Sequence, residues 1–314
     1  MSRELPLSRL GLGTAALGHL FREVDDTEAE KVVHAAYAAG IRFFDTAHLY
    51  GGGLAEARLG RALRAYRRSS YRLSTKIGSY RPFGQAATPP GTTRRRAADI
   101  WDFSAERTEA ALATSLQRLF TDHLDIVHVH GFDNHYDLAR SGAFDVLARR
   151  RERGAIGKVG GSSDAMSPLF AAIGDGLIDA LLTAGRHTVI DRAAERELLP
   201  LAARNRIEVI VGGVFNSGIL ATGPTADARY DYDIATPAVR RRVAHLATLC
   251  DEAGLPMRAV ALQFPLRHPG IDVMLLGPAS TAELEDSLAM LQIDIPEDFW
   301  MAMEAALAQP GEAG

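Results

Sequence analysis

Short apolar runs alternate along this chain with longer stretches in which apolar residues recur every three or four positions. Runs such as Ile41-Arg42-Phe43-Phe44-Asp45, Tyr71 to Lys76 and Leu124 to His130 read as strands. Between them, Ala29, Val32, Val33, Ala36 and Tyr37 mark one helix face, and Thr108, Leu112, Ser115, Leu116 and Leu119 mark another. Asp25 with Glu28 fits a capping box before the first of these helices, and Gly40 is placed to end it. Further strand-like runs begin near Arg9, Ile156, Asp179, Ile207 and Ile271.

Strand starts recur at roughly 30 residues, the length of a βα unit, which argues for a parallel sheet. With about eight such units, closure into a single α/β barrel of the (β/α)8 TIM type is favoured over a doubly wound sheet. No shift of composition marks a domain boundary, so residues 1–308 read as one barrel and 309–314 as a flexible C-terminal tail. Two connections exceed simple βα turns: Ser79 to Ser104 after strand three, and Val214 to Thr236 after strand seven. Both extend strands at their C-terminal ends, so both are expected to wall a pocket at the barrel mouth.

Composition then narrows the function classes. The 314 residues are 47% hydrophobic, enough for a large core. The 35 basic and 39 acidic residues are mixed along the chain, with no basic block of the kind a nucleic acid would need. A lone cysteine, Cys250, excludes a disulfide within the chain and argues against a zinc cluster. Met1 to Pro6 carries no apolar signal segment, and no run approaches a membrane span. The expectation is a soluble, cytoplasmic protein with a small-molecule substrate and no nucleic-acid or membrane partner. The pattern is compatible with a homo-oligomer.

Four polar residues sit at or just past strand ends: Asp45, Tyr50, Lys76 and His130. In a parallel barrel all four would meet at the C-terminal mouth, where barrel enzymes keep their chemistry. A phenol of ordinary pKa about 10 is a poor base near neutrality. A neighbouring Lys76 ammonium would favour the phenolate, Asp45 would hold the ammonium, and His130 would position a reacting oxygen. His128 points the same way one layer deeper and reads as a satisfied core histidine. His48, Trp101 and Phe132 are candidate substrate contacts. Glycine- and serine-rich turns follow three strands: Gly160-Gly161-Ser162-Ser163, Gly212 to Gly218 and Gly277 to Thr281. Each suits a cofactor amide or phosphate, although each alone also reads as an ordinary strand-to-helix turn. No G-x-G-x-x-G follows a strand, so the Rossmann fingerprint is absent.

Arg9 to Thr14, Phe44-Asp45-Thr46-Ala47-His48-Leu49-Tyr50-Gly51, Ser74-Thr75-Lys76 and Asp125 to His130 resemble the aldo-keto reductases in order and chemical type. Gly51 to Glu56, Leu182 to Arg186 and Gly212 to Gly218 look like that family's aldose 1-dehydrogenase and pyridoxal 4-dehydrogenase branch. The resemblance implies a (β/α)8 barrel, a nicotinamide cofactor across the mouth, and Asp45, Tyr50, Lys76 and His130 as the catalytic tetrad. It implies cofactor contacts from Gly13, Thr14 and Asp45, and from Ser162 and Ser163 at the carboxamide, Ser163 standing in place of an Asn. It places Phe215, Ser217 and Leu220 beside the nicotinamide and pyrophosphate. At the adenosine end it places Gly277, Ala279, Ser280, Glu283 and Ser287. Ala184-Gly185-Arg186 departs from a usual Gln on strand six, and Ser287 from a usual Asn. Ala279 stands where relatives that use NADPH carry a cation, and Glu283, Glu285 and Asp286 follow, an acidic surround without a cation. NAD is therefore the expected cofactor. The expected reaction is oxidation of a cyclic hemiacetal, an aldose such as L-fucose, D-arabinose or L-galactose, to a lactone. Pyridoxal oxidation, aldehyde or ketone reduction, and a non-catalytic cofactor-sensing subunit are the alternatives.

Overall fold

The computed structural model describes residues 6–20, 22–81 and 100–308. The tail expected over 309–314 and most of the first long connection lie outside the described residues. Eight parallel strands close into a barrel: β1 (Leu10–Gly13), β2 (Phe43–Asp45), β3 (Arg72–Ile77), β4 (Leu124–His130), β5 (Ile156–Ser162), β6 (Ala180–Ala184), β7 (Glu208–Gly212) and β8 (Val273–Leu276). Each strand pairs with its sequence neighbours, and β1 closes against β8. The alternation of strands and helices leads to this closure because each strand must bury one face inside and one against a helix.

The first helix, Asp26–Ala38, starts where the Asp25 carboxylate accepts the Glu28 amide at 2.8 Å. Its Ala29, Val32, Val33 and Ala36 are buried against the barrel, as the spacing predicts. Gly40 follows with φ +99°, a left-handed turn that glycine adopts without strain. Inside the barrel, Phe43, Ile126, Ala180, Leu182, Ile210, Val273 and Leu275 form their own apolar cluster. Below it, Arg72 and Lys158 converge on the Glu208 carboxylate at 2.7–2.8 Å and close the base with charge. The apolar plug and ionic floor separate the base of the barrel from its C-terminal mouth.

The described parts of the two long connections each hold a short antiparallel pairing. Ser79–Tyr80 pairs antiparallel with Ile100–Trp101, and Arg229–Tyr230 with Asp233–Ile234. A further apolar cluster, including Leu246, Phe264 and Trp300, packs under the second connection. No helix among the described residues is long and apolar enough to cross a membrane.

Register explains one packing constraint inside the barrel. His128 on β4 lies opposite Gly160 on β5. A Cβ at Gly160 would stand 2.2 Å from His128 Nδ1, in a ring that is fully buried. Gly160→Ala should therefore destabilise the fold by about 1–3 kcal/mol through overpacking. Urea unfolding measures it; an unchanged midpoint would show that the imidazole has room to move.

Candidate active site

Asp45 ends β2, and Lys76 sits near the end of β3. The Lys76 ammonium donates to the Asp45 carboxylate and, at 2.8 Å, to the Thr46 carbonyl. The second Asp45 oxygen accepts the Ser74 hydroxyl at 2.9 Å. Both charged side chains are fully buried. Lys76 Nζ also stands 4.8 Å from the centre of the Tyr50 ring. Tyr50 opens a tight turn whose Gly51, Gly52 and Gly53 have φ +61°, +63° and +100°. That run of left-handed residues folds the chain back so that Tyr50 lies over the ion pair. The His130 ring meets Tyr50 edge-on, with centroids 6.4 Å apart. The structure thus brings Asp45, Tyr50, Lys76 and His130 together at one rim.

The electrostatics differ from the sequence expectation. The Tyr50 phenol is pushed well above its ordinary pKa, first by burial and then by the Asp45 and Asp164 carboxylates. Lys76 was expected to lower it. Its charge is already matched by Asp45, so the phenol meets desolvation and negative charge without net cationic relief. Burial raises Asp45 and lowers Lys76, and their mutual pairing opposes both shifts. His130 is lowered to about 3 by burial and by the Lys76 charge, so it is a neutral imidazole at physiological pH. His128 is lowered to about 3 for the same reasons. His128 is fully buried in the core, as expected, with the Gly161 backbone as the hydrogen-bonding group beside its ring.

A cavity of about 580 Å³ runs from this rim across the barrel mouth. Gly13, Asp45 and Tyr50 line it at the rim, Phe215 and Ser217 further along, and Gly277, Glu283 and Ser287 towards the far end. Other expected contacts sit elsewhere. Thr14 is fully buried and donates its hydroxyl to the Asp45 carbonyl at 3.0 Å. Ser162 ends β5 opposite His130, and Ser163 donates to Asp133 at 2.7 Å. Ala279 and Ser280 shape the start of the helix Thr281–Met290. The Ala279 amide donates to Glu283 at 2.7 Å, and the Ser280 hydroxyl accepts the Glu283 amide. Leu220 is a correction: it is fully buried in the cluster under the second connection, because the helix Ile219–Thr222 turns that face inward. Phe132 is another, a wholly buried core ring packed edge-on to Phe144 at 5.4 Å. His48 is buried edge-on to Tyr80, while Trp101 stands half-buried on the first hairpin.

Several participants were missed in the sequence. Glu56 is fully buried behind β3, accepting the Thr75 hydroxyl at 2.7 Å and Arg118 at 3.1 Å. Its place on the core side of the amphipathic helix Leu54–Leu63 was the available signal. The acidic far end is not without cations, which corrects the earlier expectation. Arg258 lines the cavity and pairs with Asp286 at 3.0 Å, and Arg22 pairs with Glu283 at 2.6 Å. Both arginines come from distant segments, so no local pattern reveals them. Arg186 lines the mouth and ties three loops together through Asp164, Asp191 and Asp231.

Residues 9–308 match the model of the aldo/keto reductase family. The chain belongs to that family. It is similar to a D-threo-aldose 1-dehydrogenase of a Pseudomonas species, 34% identical over 98% of this chain and 96% of the relative. It is also similar to a pyridoxal 4-dehydrogenase of Microbacterium luteolum, 31% identical over 96% of this chain and 94% of the relative. The holo form of an aldo-keto reductase from Bacillus halodurans shares the fold, with a TM-score of 0.76 and 22% identity over 97% of this chain and 95% of that one. As an aldo/keto reductase, the protein is an oxidoreductase that uses a nicotinamide cofactor. Its residues fit such a group. A Cβ at Gly218 or Gly277 would stand in open space along the cavity, so bare backbone is presented there to a close-lying ligand.

The buried histidines of this aldo/keto reductase set an acid limit on its stability. Their folded pKa values lie below the unfolded value of about 6.5, so between those limits the unfolded chain binds more protons. Stability should be fully present above pH about 6.5 and fall on acidification, by up to about 1.4 kcal/mol per pH unit for each such histidine. His128→Gln keeps a polar group of similar size without titrating. Denaturant unfolding from pH 7 to 5 should show a shallower loss in that variant; an identical slope would contradict the assignment.

Proposed function

We propose that this protein oxidises a cyclic hemiacetal at its anomeric carbon with NAD⁺, giving a lactone. The observation that carries the reading is the buried Lys76–Asp45 pair held against the Tyr50 ring at one end of a cavity fit for a dinucleotide. Tyr50 exchanges the hydroxyl proton of the substrate. Asp45 fixes Lys76 beside the Tyr50 ring, and the cation keeps the Asp45 carboxylate from acting on the phenol as an unpaired negative charge. His130, held neutral, shares a hydrogen bond with the reacting oxygen without competing for its proton. Ser74 and Thr46 hold the ion pair in place. Bound, the oxidised nicotinamide supplies the hydride acceptor and a positive charge that favours the phenolate.

Two relatives are named for an aldose and for pyridoxal, and both compounds form cyclic hemiacetals. An aldose such as L-fucose, D-arabinose or L-galactose is the first choice of substrate, and pyridoxal the second. One observation favours a different direction of use. The raised pKa of Tyr50 keeps the phenol protonated, as a general acid for aldehyde or ketone reduction requires. Assays in both directions separate the two.

Preference for NAD⁺ rests on the far end of the cavity. Glu283 already takes up Arg22 and the Ala279 amide, and Arg258 is paired with Asp286. A 2′-phosphate, with close to two negative charges, would meet carboxylates whose cations are engaged.

Tyr50→Phe should lower turnover by about 10²–10⁴-fold and leave NAD⁺ affinity within a factor of about two. Retained turnover would reject Tyr50 as the proton-transfer group. The kcat/KM for NAD⁺ should exceed that for NADP⁺ by at least about tenfold, roughly the effect of 1.4 kcal/mol. A preference for NADP⁺ would reject the reading of the far end. Hemiacetal oxidation should rise with pH along one limb, set by Tyr50. No second limb near pH 6.5 is expected, because His130 stays neutral from about pH 4 upward. A limb near 6.5 that vanishes in His130→Gln would contradict this.

A further inference from the structure

The second long connection holds a backbone anomaly at the cavity. Asp231 and Tyr232 form the two-residue turn between Arg229–Tyr230 and Asp233–Ile234, with φ +53° and +68°. Hairpin turns with positive φ at both central positions take Asn-Gly or Asp-Gly. Asp231 suits the first position. Tyr232 stands where glycine is favoured, and a bulky residue there is sterically strained. Such strain persists only where the surroundings impose it, and it gathers at functional sites.

The surroundings do impose it. Arg186 Nη2 donates to both Asp231 oxygens at 3.1 and 3.3 Å. Arg186 is itself fixed by Asp191 and by the Asp164 carbonyl. The Tyr230 hydroxyl donates to the same Asp191 at 2.8 Å, and the Tyr232 amide donates to Ser217 Oγ at 2.9 Å. This strained turn delivers Tyr232 to the wall of the cavity that Asp45 and Tyr50 also line.

We propose that Tyr232 contacts the substrate and determines specificity, offering an aromatic face and a hydroxyl to the hemiacetal ring. Arg186 is its positioning residue, holding the turn through Asp231. This rests on the hemiacetal reading above. A planar phenol suits the C–H face of a pyranose or the face of a pyridine ring, and its hydroxyl suits a ring hydroxyl.

The test sets stability against affinity. Tyr232→Gly relieves the turn, so the melting temperature should rise, by about 2 °C. The same variant should raise KM for the aldose at least about tenfold at saturating NAD⁺, with kcat within about threefold. The Kd of NAD⁺, read by fluorescence titration, should not move. Tyr232→Phe keeps both ring and strain, so it should keep the wild-type melting temperature and lose less in KM. An unchanged KM in Tyr232→Gly overturns the proposal. So does a raised KM with a lower melting temperature, which would mark a structural residue. A KM that rises together with the NAD⁺ Kd also overturns it, making the turn a cover for the dinucleotide. A wild-type protein inactive on every hemiacetal rejects the function itself, and the role of Tyr232 falls with it.

Discussion

A lysine and an aspartate buried side by side constrain everything else at this barrel mouth. Neither Lys76 nor Asp45 could remain charged alone in that interior, and removing one partner of such a pair costs about 3–5 kcal/mol. The fold therefore has to place the ends of β2 and β3 in register, with Asp45 beside Ser74 and Lys76 two residues further on, on the same face. Ser74 and the Thr46 carbonyl satisfy the remaining hydrogen bonds. The glycine turn after β2 then lays Tyr50 over the pair. Chemistry and folding share this demand: the arrangement that keeps a charge tolerable inside the barrel also brings the Asp45 carboxylate to a phenol whose proton affinity burial has already raised.

The surrounding barrel serves this pair. Its interior is apolar in the middle and ionic at the base, which keeps the charged pair at the mouth apart from the charges below. The histidines of β4 are kept neutral by the same burial and by the Lys76 charge. A neutral His130 can share a hydrogen bond with a reacting oxygen without adding a second cation beside Lys76. At the other end of the cavity, paired arginines and carboxylates leave little net charge for a further phosphate to meet. One groove thus offers a buried, charge-poised end and a more exposed, charge-balanced end.

Much of this was legible in the sequence, and the reasons are physical. Strand ends could be found because apolar runs stop where Asp45, Lys76 and His130 begin, and parity fixes which residues face inward. Contacts between distant segments were not legible. Arg22 reaches Glu283 across 261 positions, and nothing local in either stretch announces it. Side-chain direction was also hidden. Phe132 and Leu220 occupy positions near the mouth, yet both turn into the core. The Tyr50 proton affinity depends on desolvation, which residue types alone do not give. The Asp231–Tyr232 turn carries no sequence signal, because it lacks the glycine that marks such turns.

The central claim is that burial, reinforced by the Asp45 carboxylate, holds the Tyr50 proton in the free protein, and that the cofactor charge loosens it. Ultraviolet difference titration of the wild type against Tyr50→Phe, with and without NAD⁺, reads that ionisation alone. The account predicts no Tyr50 phenolate in the free protein up to pH about 10, and ionisation at lower pH once NAD⁺ is bound. A phenolate already present near neutral pH in the free protein, or one whose titration NAD⁺ leaves unmoved, would contradict it.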